Sequence, residues 1–165
     1  MRVGIGFDVH AFSVGRPLVI GGVKIPFERG LTGHSDADVL IHAVADALLG
    51  AAGQRDIGHH FPDNDLTLAG ISSLVILQQV RERICAAGYS IGNIDSVVIA
   101  QKPKLSPYIE KMRLAIATTL SIKPEQVMIK ATTTEKLGFI GRGEGIASQA
   151  VCILNSYSGV KHQGH

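Results

Sequence analysis

Tryptophan is absent from the chain, aromatic residues make up only 5% of it, and cysteine occurs twice. Without large aromatics the core has to be assembled from Val, Ile, Leu and Ala. Two cysteines exclude a disulfide-built scaffold, and Cys85 and Cys152, each among apolar neighbours, read as reduced, buried thiols. No basic tract or Lys/Arg-rich helix accompanies the formal net charge of +2, so the electrostatic footprint of a nucleic-acid binder is missing. No apolar run is long enough to span a bilayer, which argues against a membrane partner. The opening MRVGIGFDVH lacks the charged region, apolar core and cleavage site of a secretory leader, and the expected location is the cytoplasm.

What is present describes a globular protein. Hydrophobic residues reach 45% and charged residues 18%, over a length of 165 that suits one domain. A single catalytic domain over residues 1–158 is expected, with 159–165 a frayed tail. The nineteen glycines fall in short clusters (Gly4/Gly6, Gly21-Gly22, Gly138 to Gly145), the pattern of close backbone approaches.

Residues 2–10 alternate and end in Asp-Val-His, which predicts a strand. Gly21-Gly22 between LVI and VKI predicts a tight hairpin. Ser35 followed by Asp38 matches a capping box, and Leu40, Val44, Ala47, Leu48 and Ala51 then form the apolar stripe of a helix that Gly50 or Gly53 can end. Residues 54–66 read as a polar loop without period. A second helix is predicted over 72–87 on Leu74, Leu77, Arg81 and Ile84, closed by Gly88, and a strand over 94–101. Ser106-Pro107 reads as the cap and first turn of a third helix on Ile109, Met112, Ile116 and Leu120. Strands at 127–132 and 145–154 flank a Gly-rich loop. The mixture predicts an α+β fold, with a mixed, partly antiparallel sheet covered by helices on one face.

Asp8 and His10 lie two apart on a strand and so project to one face, a carboxylate and an imidazole together. Alone this pair reads more readily as a surface Asp and a strand-end His. His42 strengthens the metal reading. It is placed opposite the apolar stripe of the first helix, with Asp38 and Asp46 one turn to either side, and either carboxylate can accept the second ring N–H of a metal-bound His. Asp38 can equally complete the cap, and Asp46 can be solvated. Two His and one Asp leave one position of a tetrahedral zinc open, as catalytic sites do. His34 and Ser35 stand near the helix N-terminus, where free N–H groups favour phosphate. The run Lys130-Ala-Thr-Thr-Thr-Glu-Lys136 supplies hydroxyl donors and, in Glu135, a ligand for a hard cation such as Mg²⁺. Thr also favours strands, which explains part of that run without function.

Taken together, GFDVHAF, HSDADVLIHAVADALLGAAG, DIGHHFPD, AQKPKL and KATTTEKLGFIGRGEGIA resemble the 2-C-methyl-D-erythritol 2,4-cyclodiphosphate synthases of the non-mevalonate isoprenoid pathway, from residue 2 to about 157. The resemblance implies a homotrimer with active sites between subunits. It implies an enzyme that converts 4-diphosphocytidyl-2-C-methyl-D-erythritol 2-phosphate into the cyclic diphosphate and releases CMP. It assigns Zn²⁺, or another divalent cation, to Asp8, His10 and His42. Mg²⁺ or Mn²⁺ is assigned to Glu135 with the substrate diphosphate. Phosphate contacts fall to His34 and Ser35, and the methylerythritol end to Asp56, Ile57, Gly58, Phe61, Pro62, Asp63, Asn64 and Asp65. The cytidine diphosphate pocket takes Ala100, Gln101, Lys102, Pro103, Lys104, Leu105 and Ser106 with Thr132, Thr133, Thr134 and Glu135. Phe139 and Arg142 fall near the trimer axis, where such enzymes can bind an isoprenoid diphosphate. His34 and Thr133 are the expected catalytic donors to phosphate oxygens as charge develops. Arg55 and Tyr108 depart from the family pattern beside these segments.

Overall fold

The structure is a computed structural model that describes residues 1–62 and 70–157; the expected tail at 159–165 and the candidates Asp63, Asn64 and Asp65 lie outside the described residues. In chain order the elements are β1 (Arg2–Val14), β2 (Leu18–Ile20), β3 (Val23–Ile25), β4 (Arg29–Leu31), α1 (Val39–Ala52), α2 (Ile57–His60), α3 (Ser73–Ala86), β5 (Tyr89–Ile99), α4 (Ile109–Leu120), β6 (Val127–Thr132), α5 (Gly138–Gly141) and β7 (Gly145–Ser156). Short 3-10 turns occupy Ser106–Tyr108 and Pro124–Gln126.

The main sheet runs β4-β1-β7-β5-β6. Three of its pairings are antiparallel, and β5 and β6 run parallel, joined by the crossover that α4 supplies. The α+β class and the mixed sheet therefore stand as expected. β2 and β3 form a separate hairpin about Gly21 and Gly22, whose φ values of 60° and 74° are those that a two-residue turn requires.

The alternation of β1 places the site. Gly4, Gly6, Asp8 and His10 share one face by their spacing, and Gly4 and Gly6 lie directly under α1. Ala43, Ala47 and Ala51 of α1 press on those glycines, so helix and strand meet backbone to backbone. The same face, carried two and four residues further, brings Asp8 and His10 under His42. The opposite face carries Val3, Ile5, Phe7 and Val9, all exposed in the single chain.

α1 packs against the sheet on one side and α3 on the other, and its residues from Val39 to Ala51 are buried apart from Asp46 and Gly50. Of the three polar residues expected on one side of α1, Asp38 and His42 are buried and Asp46 is half-buried. The expected Ser35 cap is corrected. Asp38 is the N-cap, accepting from the N–H groups of Leu40 and Ile41, and its two carboxylate oxygens also accept from Gly21 and Gly22. Gly53 ends the helix at φ 74°, as expected.

Other boundaries shift for physical reasons. β1 runs on to Val14 because its last residues pair with β4. β5 begins at Tyr89, before the irregularity between Ile91 and Asn93. The supposed loop at 54–66 contains the one-turn α2, capped by the Asp56 side chain on the His59 N–H. The inward face of α3 is Ile76, Leu77, Val80 and Ile84, with Ser72 as its cap. Leu105, not Ser106, precedes the turn into α4, and no side chain caps it. Cys152 is buried, but Cys85 is exposed near the outer end of α3, contrary to expectation. Among the described residues no helix is long and apolar enough to cross a membrane.

Candidate functional site

Asp8, His10 and His42 bring one ligand atom each within 4.8 Å of one another. Asp8 Oδ2 lies 2.8 Å from His10 Nε2 and 2.9 Å from His42 Nδ1, and the two ring nitrogens are 3.2 Å apart. Among the described residues this is the one cluster of three such donors. One carboxylate oxygen and two imidazole nitrogens converging in a half-buried cleft form a donor set that fits a divalent cation.

Charge is arranged accordingly. Burial pushes the Asp8 carboxyl up, but the hydrogen bonds and charges of His10 and His42 outweigh it and hold it well below the usual carboxylate range. Burial pulls the His42 imidazole down, but the hydrogen bond and charge of Asp8, with the charges of Asp38 and Asp36, raise it above the ordinary 6.5. Each partner stabilises the charged form of the other, and a cation entering the cluster takes over the role of the His42 proton.

The two carboxylates expected behind His42 do other work. Asp38 caps α1 from a fully buried position, where burial pushes its carboxyl up to about 6 against the pull of the Gly22, Ile41 and Gly21 N–H groups. Asp46 accepts from the Ile57 N–H at 2.8 Å and so holds the start of α2; burial and the charges of Asp56 and Asp8 raise its pKa. Neither hydrogen-bonds to the His42 ring. The Nε2 atom of His42 instead lies 3.0 Å from Ser73 Oγ and 3.2 Å from Ser35 Oγ. The Leu40 and Ile41 amides of the first turn of α1 are taken by Asp38 and so are not free for a phosphate.

Around the cluster, one cleft is lined by His34, Ser35, Ile57, Gly58, Phe61 and Pro62, with Gly33, Ile71 and Ile76, which the sequence did not suggest. Arg16 fixes the rim, donating at 2.5 Å to the carbonyls of Gly33 and Ser35 on either side of His34. Asp56 does not line this cleft, because its carboxylate caps α2.

A second cleft opens where the parallel strands β5 and β6 end side by side, the usual place for ligands of parallel strands. Ala100, Gln101, Lys102, Pro103, Lys104, Leu105, Ser106, Thr132 and Thr133 line it, with Phe27, which the sequence did not suggest. Gln101 Oε1 accepts from the Lys136 N–H, joining the two loops. Thr133 Oγ1 donates to Glu135 Oε1 at 3.0 Å, and Glu135 stands in the left-handed region at φ 52°. Thr134, Glu135, Phe139 and Arg142 line neither cleft. Arg142 pairs with Glu144 at 2.7 Å, and Phe139 is exposed on α5.

Comparison with known proteins supplies the context. A protein of Desulforamulus reducens named 2-C-methyl-D-erythritol 2,4-cyclodiphosphate synthase is 62% identical over 154 residues, 93% of this chain and 98% of its own. The structure of the bifunctional IspDF from Campylobacter jejuni superposes with a TM-score of 0.91 at 45% identity over 94% of this chain, which spans 42% of that longer chain. IspF of Plasmodium falciparum, solved as a CDP complex, superposes at 0.83 with 38% identity over 94% of this chain and 96% of its own. The YgbB family pattern matches residues 1–155, and this chain belongs to the YgbB family.

Proposed function

We propose that this chain is a 2-C-methyl-D-erythritol 2,4-cyclodiphosphate synthase of the non-mevalonate isoprenoid pathway. It converts 4-diphosphocytidyl-2-C-methyl-D-erythritol 2-phosphate into the 2,4-cyclodiphosphate and CMP. The observation that carries this reading is the Asp8/His10/His42 cluster facing His34 and Ser35 in one cleft, in a chain 62% identical to a protein so named. Zn²⁺ is the cation that best suits one carboxylate and two imidazoles. Bound there, it supplies a Lewis acid for a phosphate oxygen.

The rest of the chemistry is positioning. The attacking 2-phosphate is already ionised at neutral pH, so no general base is assigned. His34 and Ser35 donate to phosphate oxygens in the metal cleft as negative charge develops on those oxygens. Ile57, Gly58, Phe61 and Pro62 wall the methylerythritol end, and Asp56 keeps their turn in shape. Lys102 and Lys104 in the second cleft face the charge of the cytidine diphosphate, and Thr133, its hydroxyl turned from Glu135 when substrate is bound, donates to the departing CMP phosphate. Glu135 is a single exposed carboxylate, so a Mg²⁺ or Mn²⁺ ion there would share its coordination with substrate oxygens.

Among the described residues, the two clefts share no lining residue in one chain. A substrate with a cytidine end and a methylerythritol end therefore suits an assembly in which one subunit's second cleft faces another's metal cleft. The uncovered apolar face of β1, where Ile5 pairs in register with Val151 of β7, suits the buried surface of a homotrimer. Phe139 and Arg142 then fall near its axis, where an isoprenoid diphosphate can bind. A cytoplasmic location accords with this small-molecule chemistry.

The test is incubation of the chain with the cytidyl substrate, Zn²⁺ and Mg²⁺, read by phosphorus NMR. The cyclic diphosphate and CMP are expected. CMP with a linear diphosphate identifies a hydrolase instead, and no conversion at stoichiometric protein refutes an enzyme of this kind.

A further inference from the structure

We propose that Ser73 and Asp36 form a positioning relay that locks the His42 ring with Nδ1 toward the metal cluster; the proposal rests on the metal reading of that cluster.

The argument starts from hydrogen-bond direction. Asp36 can only accept as a carboxylate. It takes the Ser73 backbone N–H on Oδ2 at 3.0 Å and the Ser73 hydroxyl on Oδ1, while its own N–H is anchored to the Ile71 carbonyl at 3.1 Å. The Ser73 hydroxyl proton is thereby committed to Asp36, and the lone pairs of Ser73 Oγ are left for His42 Nε2 at 3.0 Å. His42 must then carry a proton on Nε2, so the proton that Nδ1 gives to Asp8 in the metal-free chain is the one a cation displaces, and the Nδ1 lone pair is what the metal receives.

Ser73 is fully buried, and as the first residue of α3 it is not the helix cap, a place that Ser72 holds. Helix formation therefore does not explain its hydroxyl. A buried hydroxyl polarised by a carboxylate and aimed at an imidazole does explain it. Ser35 Oγ meets the same Nε2 at 3.2 Å and accepts from the Ala37 N–H, so its own proton stays free to donate into the cleft.

The experiment compares wild type, Ser73→Ala, Ser73→Thr and His42→Ala for Zn²⁺ affinity by chelator competition. The His42 tautomer is read by ¹⁵N NMR on the zinc-loaded wild type. Ser73→Ala is expected to weaken zinc about 10- to 100-fold with its circular dichroism unchanged, and Ser73→Thr, which keeps the hydroxyl, to recover most of that loss. Wild type is expected to show Nδ1 on the metal and a proton on Nε2. Zinc affinity in Ser73→Ala within twofold of wild type overturns the relay alone, as does a wild-type His42 bound through Nε2. The NMR arm uses only the wild-type chain, so it decides even where a variant fails to fold. No zinc uptake by wild type, or full uptake by His42→Ala, overturns the metal reading and the relay with it.

Discussion

Gly6 of β1 lies so close to Ala43 of α1 that a Cβ added to the glycine would stand 2.0 Å from the Ala43 carbonyl oxygen. The obstacle is backbone, not a side chain that can rotate away. Gly6→Ala must therefore lift α1 from β1, and with it move His42 away from Asp8 and His10. Overpacking of a core typically costs about 1–3 kcal/mol, and a clash of backbone on backbone belongs at the upper end. Thermal unfolding of the variant should show a fall of about 5–10 °C, together with weakened zinc uptake. A variant that matches wild type in both measurements contradicts the close approach.

Asp38 ties two elements to one carboxylate, because it caps α1 and receives the N–H groups of Gly21 and Gly22 from the hairpin turn. Asp38→Ala removes the cap, worth about 1 kcal/mol, and strands hairpin amides in a buried place at a further ~1–3 kcal/mol. The expected outcome is a chain that still folds but unfolds about 10 °C lower. Asp38→Asn should recover only part of the loss, since its amide group opposes donors on one side. A full recovery would show that one acceptor oxygen is enough.

Much of this was legible in the sequence wherever the signal is local. The even face of β1 follows from alternation, and the Gly-Gly hairpin from its dipeptide. The metal trio was readable because two of its members share a strand face and the third interrupts an apolar helix. What escaped depends on contacts remote in sequence. Asp38 was placed beside His42 by helical spacing, but the Gly21 and Gly22 amides hold it elsewhere. Ser73 looked like an ordinary helix start, and only the folded chain brings it, 31 residues away, to the His42 ring. α2 is too short for any period to show, and the exposure of Cys85 depends on which side of α3 faces the core.

The titration of the cluster gives a prediction about pH. In the metal-free chain the raised His42 contributes stability that is fully present below pH 6.5 and is lost as pH rises through its folded value. The depressed Asp8 contributes stability present above pH 3.8 and lost as pH falls toward its folded value. The metal-free chain should therefore gain most from this pair between those limits. Zinc has to displace the His42 proton, so its affinity should rise about tenfold per pH unit while His42 is protonated and level off above its pKa. Calorimetry in two buffers of different ionisation enthalpy should detect proton release on zinc binding below pH 6.5, where His42 is protonated. A flat affinity from pH 6 to 8 would show that His42 is already neutral in the empty site.

Phe7 tests the assembly independently of the chemistry. Its side chain is 56% exposed and stands on the face of β1 turned away from α1, between Ile5 and Val9. A charge there touches neither the glycine–alanine contact nor the ligand trio, which occupy the other face. Phe7→Glu should therefore leave the single chain folded and able to bind zinc, yet place buried, unpaired carboxylates where copies of the chain meet, at several kcal/mol each. Light scattering should show wild type at three times the mass of the chain and the variant as a monomer. Because the described residues lining the two clefts do not overlap within one chain, the proposed intersubunit site predicts that cyclisation falls at least 100-fold in the variant while zinc stoichiometry stays at one. A variant that is monomeric but fully active would mean that a single chain brings its own two clefts together, and the intersubunit site would have to be abandoned.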